Sequence, residues 1–189
     1  MTDSPSIRGE YEQRGVRGFY EASGADYRNP HEPQVRRCIV HVVRTLRPDL
    51  SRVLDLAAGS GEATLALREL GAGEVDGVDP YTAEAYASRT GRAAELFTFE
   101  DVAAGALVGR HYSLIICSFA LHLCEPSRLP AAAQQLALVG DALLVLTPHK
   151  RPVIRAEWGW EHAGEEVVER VRARLYRSTV YQPRRGERA

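Results

Sequence analysis

One short stretch constrains the fold more than any other: Val53-Leu54-Asp55-Leu56 runs into Ala57-Ala58-Gly59-Ser60-Gly61 and then Glu62-Ala63-Thr64. An apolar β-rich run that breaks into small residues and resumes at helical spacing is the strand–turn–helix opening of a parallel α/β sheet. Small residues there let a ligand approach the backbone, and the helix start offers unpaired N–H groups with positive dipole character. The turn is not G-x-G-x-x-G, because Thr64 stands three residues after Gly61 and an acid sits in the strand. Asp55, four residues before Gly59, would repel a pyrophosphate but suits a cationic ammonium.

The rest of the chain repeats that alternation. Val35, Cys38, Ile39, Val42, Val43 and Leu46 recur at three and four residues, which predicts a helix from Glu32 that ends before Pro48. Strands are expected at Val53–Leu56, Val75–Asp79, Leu96–Phe99, Ser113–Phe119 and Ala142–Thr147, with helices at Glu62–Leu70, Thr82–Arg89 and Ser127–Leu138, the last interrupted early by Pro130. Beyond Pro148 and Pro152 the period becomes two. Val171, Ala173 and Leu175 alternate with Arg170, Arg172 and Arg174, a half-exposed strand expected to pair with Arg155–Trp160 across His162-Ala163-Gly164.

A chain of 189 residues, 44% hydrophobic, suits one domain with a single core. Residues 1–33, with several glycines and tyrosines and few aliphatics, read as a lid or cap, 34–182 as the domain and 183–189 as a polar tail. A formal net charge of -1 gives no global positive field to gather nucleic acid or an anionic membrane. No run approaches the roughly 20 apolar residues of a spanning helix, and the N-terminus lacks the apolar core of a signal peptide, so a cytoplasmic protein without membrane contact is expected. Cys38, Cys117 and Cys124 form no C-x-x-C pair and are expected to be buried, reduced thiols.

Acids follow the first three strands in turn. Asp79, with Pro80, closes the second strand eighteen residues after Gly61, where a carboxylate can accept hydrogen bonds from ribose hydroxyls. Glu100-Asp101-Val102 follows the third and offers an acid and a backbone N–H to the edge of adenine. Ammonium, ribose and adenine in that order describe S-adenosylmethionine better than a dinucleotide. With the run Tyr112-Ser113-Leu114-Ile115-Ile116-Cys117-Ser118 and the closing hairpin, these residues resemble the class I S-adenosylmethionine-dependent methyltransferases over roughly residues 35 to 180. The resemblance implies a Rossmann-like α/β fold, mostly parallel with a C-terminal antiparallel hairpin and helices on both faces. It also implies S-adenosyl-L-methionine as cofactor, with S-adenosyl-L-homocysteine as product. Asp55, Ala57, Gly59 and Gly61 would then hold the methionine end, Asp79 and Pro80 the ribose, and Glu100, Asp101 and Val102 the adenine, with Ser118 at the end of the fourth strand. Ala57 stands where many members have glycine, and Ser113 where many have aspartate.

Methyl transfer is an in-line displacement that mostly needs alignment and, for a protonated nucleophile, a base. His122 after the fourth strand and His149 after the fifth are the candidate bases, joined by Lys150, the chain's single lysine among 24 basic residues. Tyr20, Tyr27, Arg28, Asn29, His31 and Arg151 are candidate acceptor contacts. Neither an N/D-P-P-Y run nor a Pro-Cys pair follows the fourth strand, and the acids around strands four and five are too few for a metal site, so no metal is expected. The expected acceptor is a small molecule with an oxygen, nitrogen or other nucleophile. RNA is the alternative, carried by Arg170, Arg172 and Arg174, although residues 151–189 hold nine arginines against six glutamates. A non-catalytic methyltransferase-like binding subunit is the third reading. Trp158 and Trp160 either cover core or mark a dimer surface, leaving monomer and homodimer both open.

Overall fold

The computed structural model describes residues 27–181. Its elements are α1 (Glu32–Leu46), β1 (Arg52–Leu56), α2 (Glu62–Glu69), β2 (Glu74–Val78), α3 (Ala83–Thr90), β3 (Ala94–Glu95), α4 (Phe99–Ala103), β4 (Leu114–Ser118), α5 (Leu129–Val139), β5 (Ala142–Thr147), β6 (Trp160–Val168) and β7 (Val171–Ser178). Short 3-10 turns occupy Leu121–Leu123 and Ala156–Trp158.

The seven strands form one sheet in the order β3-β2-β1-β4-β5-β7-β6. β1 pairs in parallel with both β2 and β4, Asp55 lying opposite Gly77 on one side and Ile116 on the other. β5 and β6 each run antiparallel to β7. The order reverses between β1 and β4, so the crevice beyond their carboxyl ends is the topological switch point where open α/β sheets bind ligands.

Both faces of the sheet are covered, which is why β1, β4 and β5 read as nearly unbroken apolar runs. Leu54, Leu56, Ile115, Leu143 and Val145 pack on one face against Ala133 and Leu136 of α5. On the other, Val53, Leu114, Ile116 and Leu144 meet Val35, Ile39 and Val42 of α1 and Ala63 and Leu67 of α2. Asp55 shares the Val53 face by strand alternation, and that aims its carboxylate at α2. All three cysteines are buried and free. No helix among the described residues is long and apolar enough to cross a membrane.

Three expectations need correction. The third strand is Ala94–Glu95, and Phe99 opens α4 instead of ending a strand, because Thr98 and Asp101 form a reciprocal capping box that starts a helix there. Pro130 does not interrupt α5; it sits in the first turn, where proline is tolerated. The hairpin turns at Glu169-Arg170, since Val168 pairs with Val171, while Gly164 lies inside β6 beside a register shift. Arg155 to Trp158 belongs to a turn, and Trp160 is core: its ring is 1% exposed and its Nε1 donates to the carbonyl of Ala133 at 2.9 Å.

Candidate active site

The glycine turn is held from two sides. Gly59 N donates to Asp79 Oδ2 at 3.0 Å, and Thr82 Oγ1 donates to the Gly59 carbonyl at 2.7 Å, so the end of β2 fixes both polar groups of one residue. Asp79 Oδ1 accepts from the N–H groups of Tyr81 and Thr82, each at 2.9 Å. A carboxylate oxygen can accept two hydrogen bonds, which leaves Oδ2 one further acceptor position. Gly59 has φ 57, and a Cβ there would lie 3.2 Å from Glu62 Oε2. Gly61 has φ 87, and its Cβ would lie 2.5 Å from Thr90 Cγ2, so this glycine lets α2 pack on α3 and does not line the cavity.

Asp55 lies beneath the turn, fully buried, and does not line the cavity either. Its Oδ2 accepts from Thr64 N at 3.0 Å and Thr64 Oγ1 at 2.7 Å, while Oδ1 has no partner. Burial pushes its pKa up to about 7 against the pull of the Thr64 hydrogen bonds, and the neighbouring Glu62 and Asp79 carboxylates push the same way. Glu62, also buried, accepts from Ser60 Oγ, from Arg89 Nη1 at 3.1 Å and from Asn29 N at 3.3 Å. Three carboxylates around one turn, of which Arg89 pairs with Glu62 alone, make this end of the sheet attractive to a cation.

Above the turn opens a cavity of about 1040 Å³, the upper end of what a single drug-sized ligand fills. On the β1-β2-β3 side it is lined by Leu56, Ala57, Ala58, Gly59, Asp79, Pro80, Tyr81, Phe97, Thr98, Phe99 and Glu100. Rings at Tyr81, Phe97 and Phe99 offer flat apolar surface to a base, with Glu100 beside them. Asp101 is not in that wall. Its carboxylate is exposed and serves the α4 cap, accepting from Thr98 N at 2.9 Å and Thr98 Oγ1 at 2.8 Å, which holds its pKa below the usual carboxylate value. Val102 is buried in the core.

The β4-β5-β7 side carries Ser118, Phe119, Ala120, His122, Leu123, Pro148, His149, Glu169, Arg170 and Val171. His122 and His149 meet edge to face, ring centroids 5.1 Å apart. The protein around His122, and then His149, hold the His122 pKa below the ordinary histidine value. Tyr27, Asn29, His31 and Gln34 complete the wall, with His31 stacked on Phe119 at 5.5 Å. Arg28, Lys150 and Arg151 are exposed and do not line the cavity. The Lys150 main chain is used instead, its carbonyl accepting from Arg174 Nη2 at 3.0 Å. Tyr20 and the rest of the expected lid lie outside the described residues. Among the described residues, no group of three or more metal-ligating side chains could hold an ion.

Five non-glycine residues of the described chain have positive φ, and four of them, Ala57, Phe119, Glu169 and Arg170, line this cavity. Strained backbone gathers at functional sites because surrounding structure must enforce it there. Sequence reasoning missed Glu62, Phe97, Phe99 and Glu169, and read Arg170 only as part of an arginine face for RNA. Glu62 was visible as an acid directly behind the glycine turn, and the two phenylalanines as aromatics behind the third strand. Glu169-Arg170 carried no turn signal at all.

Residues 53–139 match a family model described as a methyltransferase domain. An uncharacterized protein of Schizosaccharomyces pombe is 32% identical over 92% of both chains. Among solved structures, magnesium protoporphyrin IX methyltransferase from Synechocystis, crystallised with S-adenosylhomocysteine, superposes with a TM-score of 0.61 at 17% identity, covering 93% of this chain and all of that one. An O-methyltransferase family protein from Burkholderia thailandensis gives a TM-score of 0.62 at 18% identity, over 91% of this chain and 62% of its own. The matched region spans β1 to α5 and includes the glycine turn, Asp79 and the β4 end, so the chain belongs to the class I S-adenosylmethionine-dependent methyltransferases.

Proposed function

We propose that this methyltransferase acts on a small molecule, methylating an oxygen or nitrogen nucleophile, with His122 as the proton acceptor. The observation that carries the reading is the His122–His149 pair, set in the cavity wall on the half of the sheet across from the glycine turn. The residues at the turn fit the cofactor: an unpartnered buried Asp55 Oδ1 among three carboxylates complements a cationic ligand, and Asp79 keeps an acceptor position for a hydroxyl. When bound, S-adenosylmethionine supplies a methyl group already activated on a sulfonium.

The chain's own task is then alignment and proton removal. Orientation alone can supply on the order of 7–11 kcal/mol. Gly59, clamped by Asp79 and Thr82, presents bare backbone to the ligand, and Phe97 and Phe99 exclude water from a stacked base. His122, kept neutral near pH 7 by its depressed pKa, can take the acceptor's proton at a ring nitrogen. His149 touches that ring and orients it.

A small acceptor is supported by the walls. Tyr27, Asn29 and His31 line the cavity, and two of the three arginines that suggested RNA are engaged elsewhere. Arg172 and Arg174 both pair with Glu165, and Arg174 is buried. The test is a substrate-library assay for formation of S-adenosylhomocysteine, run beside filter binding of bulk RNA. Turnover on a small molecule without RNA retention is expected; RNA retention with methyl incorporation would establish the alternative.

A further inference from the structure

The hairpin between β6 and β7 turns on two residues, Glu169 (φ 47) and Arg170 (φ 71), both left-handed. Tight turns of this kind favour Asn-Gly, because only glycine and, less well, asparagine adopt positive φ without strain. Here the strained positions hold two long charged side chains, and both line the cavity. Arg37 of α1 grips Glu169 with two hydrogen bonds, Nε to Oε1 at 2.8 Å and Nη2 to Oε2 at 2.6 Å. Both carboxylate oxygens are thus taken by α1, while Arg170 has no hydrogen bond or ion pair among the described residues. Of the other acids at the cavity, Glu62 pairs with Arg89 and Asp79 accepts from three backbone N–H groups, while Glu100 lies on the β1-β2-β3 side. An exposed guanidinium with no partner among the described residues thus lines the acceptor half of the cavity, on a turn whose shape its own residue type disfavours.

We infer that Arg170 selects an anionic acceptor, binding a carboxylate or phosphate of the molecule to be methylated, with Glu169 and Arg37 as positioning residues that fix the turn. The inference rests on the small-molecule reading above and names its substrate class. Planar guanidinium geometry suits two-point contact with either oxyanion. Phe119, stacked by His31, gives the apolar body of such an acceptor a surface beside it.

The experiment uses the full chain loaded with S-adenosylhomocysteine and three probes of one size: benzoate, phenyl phosphate and benzamide. Calorimetry should show the wild type binding at least one anion at least tenfold more tightly than benzamide, and which anion binds separates carboxylate from phosphate recognition. Arg170→Gln should erase that preference, Arg170→Lys should restore part of it, and S-adenosylhomocysteine affinity should be unchanged in both. Arg170→Gly should raise the melting temperature by relieving the turn, and still lose the preference, which a merely structural residue would not do. Equal binding of anions and benzamide by the wild type, or a preference that survives Arg170→Gln, would overturn the inference while leaving the methyltransferase assignment intact. Failure of the wild type to bind S-adenosylhomocysteine would overturn the underlying reading and the inference with it.

Discussion

At Asp55 a buried carboxylate, raised to a pKa of about 7, gives the cofactor site a pH dependence whose sign can be worked out. In the ligand-free fold, burial favours the neutral acid, so the stability that Asp55 contributes is full below about pH 4, is lost as pH rises to about 7 and is level above it. A cationic ligand favours the carboxylate, so affinity for S-adenosylhomocysteine should be full above pH 7 and fall as pH drops below it. Calorimetry in buffers of different ionisation enthalpy should detect proton release on binding near pH 6, and Asp55→Asn should abolish that release. His122 behaves oppositely. Its pKa is depressed, so it stays an available base below the usual histidine range, and His122→Gln should lower kcat by about 100-fold with little change in cofactor affinity. Lys150 was attractive in the sequence as a lone lysine, yet its side chain is exposed; Lys150→Arg should leave kcat/KM unchanged. The D-x-x-x-G-x-G turn was legible because small residues and an acid in a strand have few other uses. Which of the adjacent acids Glu100 and Asp101 faces the cavity was not, because only the capping geometry with Thr98 separates them.

Among the elements, the β6–β7 hairpin was the least legible and the most informative. Gly164 drew the expected turn toward itself because glycine is the common turn residue, whereas the true turn at Glu169-Arg170 is tied to α1 by Arg37, 132 residues away in the chain. No local signal encodes such a tie. β3 was misplaced for a related reason: two residues carry no periodicity, and the apolar Leu96-Phe97 beside them belongs to the connection. β1, β4 and β5 were plain in the sequence because burial on both faces writes an apolar run. The hairpin also holds the loop after β5, where Arg174 donates from Nε to Glu165 and from its two terminal nitrogens to the carbonyls of Pro152 and Lys150. Arg174→Leu should cost about 2 kcal/mol in urea unfolding, because the part-buried carbonyls of Pro152 and Lys150 lose their donor while Glu165 remains open to water. It should also raise KM for the acceptor, since His149 heads that loop.

For the molecule as a whole, the sheet order brings the parts together. β1 sits between β2 and β4, so the glycine turn, Asp79 and the His122 segment meet at one end although 67 residues separate Asp55 from His122. The β1-β2-β3 half carries small residues, acids and rings, and the β4-β5-β7 half carries His122, His149 and Arg170; under the proposed function the first half would hold the cofactor and the second the acceptor. The central claim is that the switch-point cavity is an S-adenosylmethionine site, and titration calorimetry of S-adenosylhomocysteine into the wild type and Asp79→Ala tests it most directly. Binding by the wild type and a loss of about tenfold or more in Asp79→Ala are expected, since one charged acceptor and the brace on Gly59 disappear together. Circular dichroism should report the same fold for both. No heat from the wild type, or an affinity that Asp79→Ala leaves untouched, would contradict the account.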